Sequence, residues 1–330
     1  MRILYIYRHP AMGFSIGKVM RPIERAMRQH AEVEAIYLPV PNYSPRGLWR
    51  NIQAARRAVH KGHYDIVHIT GAEHYLLPFL PRGPKKVVTV HDMGFLTVLH
   101  SSRLVYMGKW LLFAKTVALA DKVVFISHKS RQETEQLVSI DATRAHVIPN
   151  LVGEEYHYVP KEINTACPTI LHIGTLARKN LRNTLIALQD FPHKLRVIGK
   201  VDDTLRAQLD AGKWPYTYAH GLTDEEIVRE YEQCDIVNFP SLYEGFGMPI
   251  LEGQAVGRPV VTSRIAPMDE VAGEGAVLVD PHDPQSILNG YKEAVATWPA
   301  LVQKGLENVR HYQIAHITEQ YLALYKELNA

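Results

Sequence analysis

Apolar residues along this chain gather in short, nearly unbroken runs, and between the runs they recur at every third or fourth position. The first run, Ile3-Leu-Tyr-Ile-Tyr7, is followed within thirty residues by another around Val33. Unbroken runs, unlike strict alternation, mark strands covered on both faces, as parallel strands are when helices pack above and below them. Strands are expected over residues 2–7, 33–38, 66–70, 86–90, 122–126 and 146–148. A second set is expected over 169–173, 195–198, 216–220, 236–239, 259–262 and 276–279. Six and six, with helical periodicity between them, predict an α/β protein of two Rossmann-like, doubly wound domains. No sequence repeat underlies the duplication. The stretch 153–168 is polar, carries Pro160 and Pro168, and reads as a linker, giving domains over 1–155 and 165–311. Residues 314–328 place Ile314, Ile317, Tyr321, Leu324 and Leu328 at helical spacing. In doubly wound sheets ligands bind beyond the carboxyl ends of the strands, where the strand order reverses, so two domains facing across a cleft would hold the site there.

A length of 330 residues agrees with two cores better than one. Apolar residues make up 46% and charged residues 22%, the balance of a soluble globular chain. Met1-Arg2 leads straight into the first strand with no signal peptide pattern. The densest apolar window, 104–120, is broken by Lys109 and Lys115 and is too short and too charged to span a bilayer. Two cysteines, Cys167 and Cys234, fit a reduced, cytoplasmic protein and exclude a disulfide framework or a Cys-rich metal site. A net charge of +3 gives no reason to expect nucleic acid as a partner. The seventeen histidines show no metal-ligand spacing.

Chemistry concentrates after the tenth expected strand. The run Glu244-Gly-Phe-Gly-Met-Pro-Ile-Leu-Glu252 reads as strand, glycine loop and helix N-terminus, with Pro249 suited to the first helical turn. Gly245 and Gly247 allow close backbone approach, and the helix start offers N–H donors to an anion such as a diphosphate. Glu244 and Glu252 would accept hydrogen bonds from sugar hydroxyls. Read singly, they are a solvated loop charge and a helix-dipole partner. The glycines, the proline and the strand-loop-helix context together favour a binding role. Pro240-Ser241, this run, Gly257-Arg-Pro-Val-Val261, Asp269-Glu270 and the stretch Leu278-Val-Asp-Pro281 resemble the Glu-x7-Glu region of the retaining glycosyltransferases of family 4, the group 1 glycosyltransferases.

That resemblance implies the GT-B fold, with the acceptor bound by the first domain and the nucleotide sugar by the second. It also implies that the last helix, within 312–330, packs back on the first domain. At the end of the first strand of the second domain stands Gly174-Thr-Leu-Ala-Arg178-Lys179-Asn180, with Asn180 a candidate N-cap. Two cations ahead of a helix are unfavourable for its dipole unless an anion binds, although two solvated charges are an equal local reading. The resemblance assigns Lys179 and Arg178 to the donor diphosphate. The chain departs from the family at Thr175, where many members have Arg, and at Ala177, where many have Glu-Pro. The amides of Gly245, Phe246, Gly247 and Met248 would complete the diphosphate site, while Glu244 orients the sugar and Glu252 accepts from the ribose. Gly174, Thr175, Gly199, Lys200, His220 and Gly221 occupy positions where members hold the nucleotide, largely through backbone. In the first domain, a loop with Gly13 and Gly17 follows the first strand but lacks Gly-x-Gly-x-x-Gly, which excludes a dinucleotide cofactor there. The resemblance gives that loop to phosphate or acceptor, and gives His91, of His91-Asp92, a place beside the transferred sugar. A lone histidine is otherwise a structural hydrogen-bonder. Ser127 and Ser130 cap the following helix.

The reading is therefore a metal-independent retaining hexosyltransferase that uses a nucleoside-diphosphate sugar, needs no cofactor, and serves a saccharide or lipid-linked acceptor in glycan, polysaccharide or glycolipid synthesis. No Asp-x-Asp motif occurs. Two alternatives keep the fold: a nucleotide-sugar-binding regulatory protein without transfer activity, and a nucleotide-sugar epimerase. The basic segment 45–61, with Trp49, would also suit peripheral contact with an anionic membrane, which liposome flotation tests; a solvated helix with one buried face is the plainer expectation.

Overall fold

The computed structural model describes residues 1–12, 15–92, 103–212 and 215–330. The chain divides into two compact units, Met1–Leu151 joined by Ile314–Ala330, and Val152–Gln313. The first holds β1 (Arg2–Tyr7), β2 (Glu32–Tyr37), β3 (Ile66–Ile69), β4 (Lys85–Val90), β5 (Lys122–Phe125) and β6 (Ala145–Val147). They pair in the order β2-β1-β3-β4-β5-β6. The second holds β7 (Thr169–Ile173), β8 (Lys194–Ile198), β9 (Tyr216–Ala219), β10 (Ile236–Phe239), β11 (Val260–Ser263) and β12 (Ala276–Val279), in the order β12-β11-β10-β7-β8-β9. Every pairing is parallel. All residues of β3, β5, β10 and β11 are buried, which is why these strands read as mainly apolar without alternation, their few polar residues, His68, Lys122, Asn238, Thr262 and Ser263, being buried too. Strand order reverses between β1 and β3 in the first sheet and between β7 and β10 in the second.

Helix Pro45–Gly62 starts at Ser44, whose side chain accepts from the Gly47 N–H, with Pro45 in the first turn. It buries Asn51, Ile52, Ala55 and Val59 and leaves Trp49 58% exposed, so one face is core and the other solvent. No described helix is long and apolar enough to cross a membrane. The polar stretch 153–168 belongs to the second unit, not to a free linker: Lys161 pairs with Asp235 at 2.8 Å and Arg258 donates to the Val159 carbonyl at 2.9 Å.

Helix Ile314–Asn329 lies in the first unit, with Ile317, Tyr321, Leu324 and Tyr325 in the same core as Tyr5 and Ile23. A buried polar chain fastens it there. His68 Nδ1 lies 2.5 Å from the Tyr325 hydroxyl, His68 Nε2 lies 2.8 Å from Thr89 Oγ1, and the Tyr325 and Tyr5 hydroxyls are 3.0 Å apart. Burial pulls the His68 pKa from 6.5 to about 3, so the ring is neutral in the fold. A histidine with a depressed folded pKa contributes stability that is complete above its unfolded pKa and lost as pH falls toward the folded one. The first unit should therefore lose on the order of a few kcal/mol between pH 6.5 and 4, through His68 with a share from His74, whose pKa burial lowers to about 4. Urea midpoints followed by Tyr fluorescence measure this. A His68→Gln protein with the same pH slope as the parent would exclude His68 as the source.

Candidate active site

The reversal between β7 and β10 opens a crevice at the carboxyl ends of these strands, and the loops that leave them carry the charged motifs. After β7 the chain turns at Gly174, φ +96°, and enters a short 3-10 turn over Ala177–Lys179. After β10 it runs through Pro240–Gly247 into helix Met248–Val256. Two bonds stitch the loops together: the Leu242 N–H donates to the Arg178 carbonyl at 2.7 Å, and Asn180 Nδ2 donates to the Pro240 carbonyl at 2.9 Å. Asn180 occupies the N-cap position of helix Leu181–Ala187, but its side chain does not cap it. The amide instead bridges the Pro240 and Pro281 carbonyls, the latter at 2.7 Å, because φ of +64° turns it inward.

These loops bring a carboxylate to two adjacent cations that lie far from it in sequence. Arg178 Nη1 is 2.6 Å from Glu244 Oε2, and Lys179 Nζ is 2.6 Å from Glu244 Oε1. Lys179 Nζ also sits 4.5 Å over the Phe239 ring. Gly174 is required for this arrangement, since an added Cβ would lie 2.8 Å from Lys179 Cγ and its φ is left-handed. Burial lowers the Lys179 pKa while Glu244 raises it. The cluster carries two cations against one carboxylate, a net positive site at a sheet crevice. Both oxygens of Glu244 face cations, a tighter engagement than a loop carboxylate reaching toward a sugar.

Glu252 lies just past the first turn of helix Met248–Val256 and accepts from the Tyr231 hydroxyl; the Tyr156 hydroxyl bonds to it as well. The two tyrosine rings meet edge-on at 5.5 Å. Neither tyrosine carries a sequence signal, and both were missed by motif. Gly247, φ +118°, makes the turn into the helix, while Phe246 is buried with its ring 6.1 Å from Tyr312. Phe246 therefore offers the crevice its backbone and not its ring. Met248 begins the helix, and Gly245 is half-buried in the loop.

Thr175 turns away to donate to the Lys200 carbonyl at 2.7 Å, and its methyl would meet a Cβ on Gly199 at 2.7 Å. Gly199 and Lys200 follow β8, and His220 and Gly221 follow β9, exposed, with open space beside Gly221. All these positions thus stand at carboxyl ends of neighbouring strands. Below them His172 Nδ1 accepts from Asn238 Nδ2 at 2.8 Å, and Tyr291 donates to Asn238 Oδ1 at 2.8 Å, locking β7 to β10. Burial and Lys179 keep His172 neutral, with a pKa near 4.

The first unit has its own crevice at the carboxyl ends of β1, β3 and β4, a cavity of 530 Å³ reached by Arg8, Tyr43, His74, His91, Asp92 and Lys109, with apolar walls that include Leu112 and Phe113. His91 Nε2 donates to the Thr70 carbonyl at 2.9 Å, and burial lowers its pKa, so the ring is neutral with its proton on Nε2. Gly13 lies outside the described residues. Gly17 is inside helix Ser15–Met27 and not in the preceding loop, where a Cβ would lie 3.3 Å from Arg21 Nε, so its small size leaves room for the Arg21 side chain. Ser127 and Ser130 form the capping box of helix His128–Glu135. Among the described residues no three His, Cys, Asp or Glu side chains gather as metal ligands.

Residues 167–296 match the family described as Glycosyl transferases group 1, and residues 19–156 match Glycosyltransferase Family 4. The O-antigen chain mannosyltransferase B of Escherichia coli is 28% identical over 281 residues, spanning 76% of this chain and 72% of that protein. The structure of sucrose-phosphate synthase from Thermosynechococcus elongatus superposes with a TM-score of 0.79 at 19% identity, covering 99% of both chains. That of Anabaena HepE in complex with UDP-glucose does so with 0.72 at 17% identity, covering 99% of this chain and 100% of that one. Each half thus matches a family-4 or group 1 description, and the chain belongs to the group 1 glycosyltransferases of family 4 and has the GT-B fold.

Proposed function

We propose that the chain is a retaining mannosyltransferase that moves mannose from a nucleoside diphosphate to a hydroxyl of a growing saccharide, free or lipid-linked. The observation that carries this reading is the Lys179–Glu244–Arg178 cluster at the β7–β10 crevice, beside the start of helix Met248–Val256. A departing diphosphate gains negative charge as the sugar becomes oxocarbenium-like, and cations fixed beforehand at that point lower the barrier most. Glu244 holds the two cations in place beside the diphosphate and accepts from the sugar hydroxyls through the lone pairs they leave free. Glu252, oriented by Tyr231 and Tyr156, accepts from the ribose. Neither carboxylate is placed as a nucleophile, because one is engaged by cations and the other by phenols. Retention then follows from attack on the face the diphosphate leaves: the C1–phosphate bond breaks, the acceptor oxygen bonds to C1, and its proton passes to the leaving phosphate oxygen. Cations and amides meet the charge of the diphosphate, so the reaction needs no divalent metal.

Mannose rests on the O-antigen mannosyltransferase as relative. The UDP-glucose complex of Anabaena HepE favours a glucosyl reading instead. GDP-mannose, UDP-glucose and ADP-glucose, each tested in EDTA by thermal shift and by product analysis with methyl α-mannoside, separate these readings. One donor should raise the melting temperature, by about 2.7 kcal/mol of stabilisation at a hundred times its Kd, and yield an α-linked product. Donor binding without transfer would favour a regulatory protein, and an epimerised donor an epimerase. If no donor binds, the transferase reading fails.

A further inference from the structure

A transferase holds two substrates, and the cation cluster of the second unit accounts for only one. The first unit has its own reversal of strand order, between β1 and β3, and the 530 Å³ cavity lies at that point, in the size range of a small-molecule site. One group behind its wall is unexplained by packing. Glu73, between the wall residues Ala72 and His74, is 1% exposed, and its Oε2 has no hydrogen-bond partner. A buried carboxyl is costly unless it serves its neighbours. Two neighbours stand out. The Tyr43 hydroxyl donates to Glu73 Oε1 at 3.4 Å, and the Arg8 guanidinium is near enough to pull down the carboxyl's pKa, which burial has raised to about 7. The Tyr43 ring is fixed edge-on between Tyr75, at 6.2 Å, and Phe113, at 5.4 Å, while remaining 41% exposed. Tyr43 and Arg8 both line the cavity. Glu73 therefore acts on the cavity through them.

We infer that Glu73 is a positioning residue for the acceptor: from behind the wall it fixes the Tyr43 hydroxyl and the Arg8 guanidinium, which bind the hydroxyl groups of an acceptor sugar ring in this cavity. The assignment of the cavity to the acceptor rests on the proposed transferase reaction. With its proton committed to Glu73, the phenol oxygen is left to accept from an incoming hydroxyl, and the guanidinium supplies donors in a fixed plane. The carboxyl itself never touches the sugar. Glu73 thus selects by holding two groups in register, which a glutamine of the same shape would do poorly, because it accepts from Tyr43 but carries no charge for Arg8.

The test uses the full chain and methyl α-mannoside, in two readouts: acceptor KM with a fixed saturating donor, and direct binding of the mannoside by saturation-transfer NMR. Glu73→Gln should raise acceptor KM and weaken mannoside binding by about tenfold, as loss of a charge-assisted contact does, with donor KM unchanged. Tyr43→Phe should do the same. The double variant should be no worse than about the larger single one, since both remove one arrangement. Glu73→Asp, which keeps the charge, should recover part of the loss. A Glu73→Gln protein that keeps parental acceptor KM and mannoside binding overturns the inference, as does one in which donor and acceptor KM move together. Mannoside binding that weakens in Glu73→Gln although the parent transfers no sugar would sustain the role of Glu73 and remove the proposed reaction.

Discussion

Lys179→Ala is expected to lower turnover by on the order of a hundredfold or more, the cost of removing one preorganised charge from a leaving group. The ammonium is held at three points: 2.6 Å from Glu244 Oε1, 4.5 Å over Phe239, and with its stem against Gly174. Such a group reorganises little when charge develops beside it, and that is the source of its leverage. In the absence of an anion, burial works against its charge. A diphosphate restores the favourable balance, so Lys179 binds the transition state, where the diphosphate is most charged, better than the ground state. The loss should appear equally in kcat and kcat/KM for donor, with donor KM little moved. Lys179→Arg should not restore the rate, since a planar guanidinium does not reproduce the fit over Phe239 and Gly174. Steady-state kinetics on variants with parental melting temperatures decide the matter. Parental turnover in Lys179→Ala would mean that the cation is structural only, a partner for Glu244.

The same cluster shows what sequence reading reaches and where it stops. β1 was legible because burial on both faces leaves an unbroken apolar run, Ile3 to Tyr7, and β3 and β10 because only one polar residue, His68 or Asn238, interrupts theirs. The two motifs around Lys179 and Glu244 were legible as separate pieces, each a strand followed by glycine and a helix. That they serve one donor site came from the family resemblance alone; the direct pairing of Glu244 with both cations was not legible, because it depends on β10 lying beside β7, and strand order is set by packing across sixty residues of intervening chain. Asn180 illustrates a local rule overridden: at an N-cap position the side chain is expected to accept from its own helix, yet two carbonyls from distant loops claim its amide. Tyr231, Tyr156 and Glu73 left no trace, since a tyrosine or glutamate acting through its neighbours needs no motif, only proximity. The stretch 153–168 misled for a related reason. Its polarity is that of a linker, but the groups that satisfy it, Arg258 and Asp235, come from far along the chain.

Arg258→Met is expected to lower the unfolding free energy of the second unit by about 3–5 kcal/mol, the cost of leaving several buried carbonyls without a donor at about 1–3 kcal/mol each. The side chain is 1% exposed and is among the largest fully buried ones. Nη1 donates to the carbonyls of Val159, Val256 and Gly257 at 2.9, 3.0 and 3.1 Å, and Nη2 donates to that of Glu232 at 2.7 Å. Two of these segments are helix ends, of Asp224–Gln233 and Met248–Val256, where the last carbonyls have no partner within the helix. The third is the polar stretch that precedes β7. A guanidinium can serve all of them because its donors fan out in one plane. Methionine fills the stem's volume and leaves the carbonyls of Val159, Gly257 and Glu232 without this donor in a place that water reaches poorly, while that of Val256 keeps the Val159 N–H at 3.3 Å. Lysine keeps the charge but gathers its donors at a single atom, so Arg258→Lys should recover less than half of the loss. The melting temperature of the second unit, which comprises Val152–Gln313, should fall by about 6–20 °C. Proteolysis within 153–168 should quicken as Val159 is released. The helix whose end Arg258 secures also carries Glu252, one turn from that end, so loosening should reach the donor site as weaker nucleotide binding, at temperatures where the unit is still folded. A fall of only a degree or two, with 153–168 still protected, would show that water replaces the guanidinium and that the stretch is held by Lys161 and by the Val159 N–H on the Val256 carbonyl.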